Sequence, residues 1–192
     1  MKLLVAALAI IGIVVVVAAA FTYAGYYDVA ADDAHWGVTR GFVDSARERS
    51  IVRQSREVGT PPALEDPALL AMGAEHYDDM CVECHLAPGM DESEVRAGLN
   101  PRPPKLAARG TRRAPEQDFW IIKHGVKMTA MPAWGITHDD HSIWALTAFV
   151  QRLPDLSRTD YDALVAQGRE AGHPHEETAG HSEGEAEHHH DH

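Results

Sequence analysis

Hydrophobic and polar positions divide the chain into stretches of very different character. Leu3 to Phe21 carries no charge and is rich in Val, Ile, Leu and Ala. Wound as a helix it covers about 28 Å, close to the ~30 Å of hydrocarbon in a bilayer. Tyr23, Tyr26 and Tyr27 follow, as an interfacial aromatic belt would. Lys2 precedes the run and Asp28, Asp32 and Asp33 come after it, so the charge bias places the N-terminus in the cytoplasm and the rest outside. A cleaved signal peptide is the alternative, with Ala18-Ala19-Ala20 as a small-residue site, but the run exceeds the ~7–15 residues of a signal core. An uncleaved anchor over residues 1–27 is therefore expected, and either reading exports the remainder.

Residues 28–62 predict one helix of about 20 residues. Asp32 or Asp33 can cap its start, and Gly59-Thr60-Pro61-Pro62 ends it beyond Val58. Val38, Phe42, Ala46 and Ile51 form a loose apolar stripe. Five arginines (Arg40, Arg47, Arg49, Arg53, Arg56) face three acids (Asp44, Glu48, Glu57). Such a helix is either a spacer packed on the next domain or an element lying along lipid headgroups or a membrane partner. His35-Trp36 is read as interfacial. Residues 63–156 show no strand-like alternation and carry a helix start signal at Pro67, and the expected fold class is all-α. After Pro154 the apolar pattern fades, and residues 157–192 are expected to form an acidic, His-rich disordered tail.

Charge sharpens this division. The net charge is −12. Nine acids and one base between residues 160 and 192 contribute −8 of it, leaving a nearly balanced body. No basic, aromatic-studded surface suggests nucleic acid. Seven of the thirteen histidines (His173, His175, His181, His188, His189, His190, His192) lie in the tail. Histidine tracts of this kind bind Cu, Zn or Ni, and an affinity tag is the dull alternative.

The only two cysteines stand in Cys81-Val82-Glu83-Cys84-His85. A disulfide there would close a very short loop and stabilise little. A redox dithiol belongs in a strand-rich fold, and a zinc site lacks its fourth ligand. The adjacent histidine decides between them, because Cys-x-x-Cys-His is the attachment signature of c-type haem. Two thiols add across the porphyrin vinyl groups, and the following imidazole sits under the iron. With one such motif, one haem is expected.

Around it, "PALLAMGAEHYDDMCVECH", "HGVKMTAMPAWG" and "DDHSIWALTAFVQRLP" resemble a class I cytochrome c of the small, membrane-anchored, oxidase-associated bacterial type, over about residues 65–154. The resemblance implies a cytochrome c-like helical haem domain. It also implies that Gly73 and Tyr77 cross the last helix of that domain, and that a Met-Pro loop supplies the sixth ligand. Downstream candidates for that ligand are His124, Met128, Met131, His138 and His141. Met131 stands out because Pro132 pushes it into extended geometry on a loop, and Trp134 completes the motif. His124, before Gly125, reads as a helix C-terminus. The stiff run Asn100–Leu106 is expected to offer the carbonyl of Pro103 or Pro104 to the haem-binding His85, with Arg102 or Arg109 near a propionate. The expected role is that of a membrane-tethered electron carrier, with a quinol-oxidising complex as donor and a terminal oxidase or reductase as acceptor, or else of a fixed haem subunit of a larger complex. A peroxidase or gas sensor with a labile Met ligand is the more remote alternative.

Overall fold

The computed structural model describes residues 1–33 and 35–172. Nine α-helices follow one another in those residues, and no strand occurs among them. The all-α expectation holds.

α1 (Lys2–Tyr23) is exposed along its whole length and is long and apolar enough to cross a membrane. α2 (Gly37–Gln54) runs on through a 3-10 turn to Glu57, which matches the expected length. Its start differs from the expectation. Trp36 is the N-cap, and neither Asp32 nor Asp33 caps the helix. The expected stripe also fails as a single face. Val38, Phe42 and Ala46 are exposed, whereas Ile51 is buried on the other side. Ala46 and Ile51 are five residues apart, which at 3.6 residues per turn sets them about 140° apart around the helix.

The body is built around α3 (Pro67–Met80) and α8 (Asp140–Arg152), which cross closely. Asp66 caps α3 by accepting from the Ala68 amide at 2.8 Å, with Pro67 at the first helical position. Asp139 caps α8 in the same way through Ser142. At the crossing Gly73 has no side chain to hold the helices apart, and a Cβ there would lie 2.1 Å from the Ala145 carbonyl oxygen. Tyr77, Ile143, Leu146 and Phe149 fill the core beside it, none of them exposed to solvent. α7 (Pro115–His124) packs on α8 through Phe119 and Trp144, stacked at 4.2 Å.

One expected boundary is corrected. The tail was expected to lose structure at residue 157, but α9 (Arg158–Ala171) continues the fold and packs along α3. Ser157 and Asp160 form a reciprocal capping box. Tyr161 and Val165 are buried, and the Tyr161 hydroxyl donates to Asp78 at 2.7 Å. Gly168 lets α9 approach until a Cβ would sit 2.3 Å from the Ala71 carbonyl oxygen. The acidic count hid an apolar set at 161, 164, 165 and 168, whose spacing is that of one helix face. The expected metal-binding histidines His173, His175, His181, His188, His189, His190 and His192 lie outside the described residues.

Candidate haem site

α3 delivers the Cys-x-x-Cys-His stretch. Cys81 is its C-cap, and α4 (Val82–His85) turns immediately afterwards. The amides of Cys84 and His85 both donate to the Cys81 carbonyl, at 3.1 and 2.8 Å, so the two thiols and the imidazole share one helical turn. Leu86 then takes a positive φ of 65° and reverses the chain. Its carbonyl accepts from the buried Tyr77 hydroxyl at 2.8 Å, which ties the turn back to α3. Both thiols are free. Burial pushes the Cys81 thiol up to about 12, with Cys84 adding to the effect, so it stands protonated and neutral.

His85 leans on the proline loop as the sequence suggested. Its Nδ1 bonds the Pro104 carbonyl at 3.0 Å, which orients the ring and leaves Nε2 for a ligand. Burial lowers the His85 pKa, the Pro104 bond opposes that, and Arg96 lowers it further. The neutral imidazole is the form that binds a metal. Pro103 has a different role. Its carbonyl accepts from Arg96 Nε and Nη2, at 3.1 and 3.0 Å, while Arg96 Nη1 grips both oxygens of Glu92 at 2.8 Å. Sequence reasoning missed Arg96, which is buried and fastens the loop that steadies His85. The Glu92–Arg96 spacing of four residues on the short helix α5 (Glu94–Ala97) and its approach was the available signal.

The Met131 loop closes on the end of α7. Gly125, at φ 65°, is the C-cap, and a Cβ there would lie 2.7 Å from the carbonyl oxygens of both Met131 and Pro132. Val126 donates to the Met131 carbonyl at 3.1 Å. Thr129 Oγ1 donates to the Val126 carbonyl at 2.7 Å and accepts from the Met131 amide at 3.1 Å. These bonds fix Met131 at the end of a tight turn. Met128 lies within that turn at a positive φ, with its side chain turned out to solvent, 75% exposed. His124 and His141 are exposed, and His138 packs its ring edge-on against His76 and Trp134.

Cys81, Cys84, His85 and Met131 line a single cleft with Tyr77, Pro103, Pro104 and Trp134. Its walls are apolar (Met80, Leu106, Ile122, Leu146, Val150), and its polar margin includes Arg47, Arg102, Arg113 and Asp118. Of the two arginines expected near a propionate, Arg102 lines the cleft, and Arg109 is exposed on α6 (Leu106–Arg109) and is not among the lining residues. Arg47 and Arg113 were not foreseen. Arg113 is held by two 2.7 Å bonds to Glu48 of α2, a pairing 65 residues apart that no local pattern announces. Arg113 is the main reason the Glu48 carboxyl sits below its ordinary pKa.

The residues present fit haem c. Two free thiols stand on one turn, an oriented imidazole and a thioether share the same cleft, the walls are apolar, and cationic side chains stand at its margin. Helical fold and cleft together define a c-type cytochrome domain. Residues 68–150 match the family model described as cytochrome c oxidase, cbb3-type, subunit III. No curated protein and no solved structure matches the chain. The cofactor is covalently bound haem c, and the chemistry of the domain is haem-based electron transfer.

Asp118 gives this site a pH dependence. It is buried in the cleft margin and accepts from Gln151 Nε2 at 2.6 Å. Burial raises its carboxyl to about 6, against the opposing pull of Thr111, Gln151 and Arg113. Ionised Asp118 places a negative charge beside the cleft and favours the oxidised site. The reduction potential is therefore expected to fall as pH rises through about 6, by at most ~59 mV per pH unit, and Asp118→Asn should flatten that step. Potentiometric titration between pH 5 and 8 checks it. Because the folded pKa lies above the ordinary value of 3.8, the group's contribution to stability is full below that pH and is lost as pH rises through about 6.

Proposed function

We propose that the protein is a membrane-tethered monohaem cytochrome that passes single electrons in a respiratory chain. α1 is the anchor and the haem domain lies on the extracytoplasmic side. In this reading Cys81 and Cys84 would hold the haem through thioethers, and His85 and Met131 would ligate its iron. Tyr77, Pro103, Pro104 and Trp134 would shape the pocket, and Arg102, Arg47 and Arg113 would be the cations available to the propionates. When bound, haem supplies an iron that takes up and gives back one electron at a time.

The observation that carries the reading is that a backbone-oriented His85 and a loop-fixed Met131 line one apolar cleft. Two protein ligands leave the iron no place for substrate, which suits a carrier better than a peroxidase or gas sensor. The apolar shell and fixed loops limit the rearrangement that accompanies each transfer. A quinol-oxidising complex would be the donor and a terminal oxidase or reductase the acceptor.

The family description names a subunit of an oxidase, which favours a second reading in which the haem is a fixed relay point in a larger complex. Native electrophoresis of gently solubilised, untagged membranes with haem staining separates the two. A free carrier migrates as a small haem band of its own, whereas a subunit comigrates with oxidase activity. A reporter active only in the cytoplasm, fused to the C-terminus, should give no signal, and a strong signal there would overturn the topology.

A further inference from the structure

α2 divides its charged groups between two faces. On the inner side Ile51 is buried, Arg47 lines the haem cleft and pairs with Asp44 at 3.0 Å, and Glu48 grips Arg113. Two of the three acids of this helix and its extension are thereby already paired, Asp44 within the helix and Glu48 against the body. The outer side is a stripe with spacings of four and three residues: Val38, Phe42, Ser45, Arg49, Val52 and Arg56. All six are exposed, Val38 and Phe42 at 77% and 76%. Arg49 and Arg56 on the stripe, and Arg53 beside it, make no ion pair among the described residues. The outer face is thus apolar at its N-terminal end and cationic at its C-terminal end.

The start of α2 is tied to the end of α1. Trp36, its N-cap, lies 6.1 Å ring to ring from Phe21 in the last turn of α1 and 5.4 Å from Tyr27, while Tyr26 stacks on Phe21 at 5.7 Å. If α1 crosses the bilayer, Phe21 marks its hydrocarbon boundary, and Trp36 stands at headgroup level beside it. Val38 and Phe42 then follow within about 10 Å of that level at 1.5 Å rise per residue.

We infer that α2 is a lipid-binding helix. Its outer stripe lies in the interface of the same membrane, with Val38, Phe42 and Val52 sunk toward the acyl boundary and Arg49, Arg53 and Arg56 on anionic phosphate headgroups. The long arginine stems let the guanidinium groups reach the phosphates while the helix body stays low. The inference rests on α1 being the membrane anchor. Its consequence is orientation. Because the inner face of α2 is a wall of the haem cleft, seating the outer face on lipid fixes which way that cleft faces relative to the bilayer. A helix from a neighbouring protein could use the same stripe, but the contact of Trp36 with the end of the apolar helix and the unpaired arginines favour lipid.

The test uses the full haem-loaded chain in nanodiscs, with a spin label on Ser45→Cys at the middle of the stripe. In discs of phosphatidylcholine with phosphatidylglycerol, the ratio of oxygen to nickel-chelate collision rates should rise several-fold over that in phosphatidylcholine alone. The Arg49→Gln, Arg53→Gln, Arg56→Gln triple variant should return it to the aqueous ratio, with the haem absorption spectrum unchanged as the control for folding. A chain that enters both kinds of disc while its label stays equally open to the nickel chelate overturns the inference and leaves the anchor intact. A label shielded only in native membranes and not in anionic discs assigns the stripe to a protein partner, which also overturns it. A chain that elutes without lipid removes the anchor, and this inference with it.

Discussion

Met131→Ala is expected to open the iron to carbon monoxide, abolish the low-spin six-coordinate spectrum and lower the reduction potential sharply. Axial-ligand choice spans about 0.8 V across haem proteins, and a thioether opposite histidine sits on the high side of that range. Losing it should cost a substantial part of the span. The geometry separates Met131 from its neighbour three residues earlier. The Met131 amide is tied to Thr129, its carbonyl is tied to Val126, and the residue lines the cleft with His85. Met128 is largely exposed, at φ 62°, and does not line that cleft. Met128→Ala should leave spectrum, carbon monoxide binding and potential unchanged. Absorption spectra with and without carbon monoxide, together with potentiometry of both variants, decide the matter. The reverse pattern would assign the sixth position to Met128.

Most of the candidate site was legible locally because its groups lie close together along the chain. Cys81, Cys84 and His85 need only one helical turn to come together. The Met131 loop announces itself through the Pro that follows it and the Gly that ends α7. Even the His85 support could be narrowed to two adjacent prolines, and the backbone of the second, Pro104, accepts the bond. The residues that escaped are those whose partners lie far along the chain. Nothing near Arg113 says that Glu48 waits 65 residues away. Asp118 looks like an ordinary first-turn acid of α7, and only folding places it under Gln151 in the cleft margin. α9 escaped for a different reason. Its capping box and apolar face were legible, but the weight of acids downstream drew the whole segment into the tail. Composition averaged over 36 residues overrode a periodicity confined to 14 of them.

The role of α2 lay between these cases. Its existence and approximate length could be read from the breakers that end it, although the expected aspartate cap is not the one used, and both the packing and the headgroup readings of it were open. The stripe drawn through Ile51 mixed its two faces, since exposed and buried apolar residues look alike in sequence. Only the packing shows that the segment preceding the cytochrome domain supplies a wall of its cleft, through Arg47 and Ile51.

Gly73→Ala is expected to destabilise the haem domain severely, although helix propensity alone argues the opposite. Alanine in a helix interior is favoured over glycine by about 1 kcal/mol. Gly73 lies mid-way along α3, where that gain would apply in full if the site were open. It is closed on backbone. The added methyl would meet the Ala145 carbonyl oxygen at 2.1 Å and its carbon at 2.6 Å, with Phe149 Cβ at 2.8 Å. None of these atoms sits at the end of a flexible side chain, so relief requires α3 and α8 to separate. Separation strips packing from Tyr77, Leu146 and Phe149, all fully buried. Overpacking of a core costs ~1–3 kcal/mol and more where backbone must move. A net loss of about 3 kcal/mol would lower Tm by roughly 12–24 °C for a domain of this size. The shift should appear together in far-ultraviolet circular dichroism and in haem absorption, because α3 carries the haem motif at its end. Gly168→Ala provides the contrast. Its methyl meets the Ala71 carbonyl oxygen at 2.3 Å, but only α9 needs to move. That variant should lose less stability and keep its haem spectrum. Equal or greater stability of Gly73→Ala would mean that propensity outweighs the crossing and that α3 and α8 do not pack at this distance.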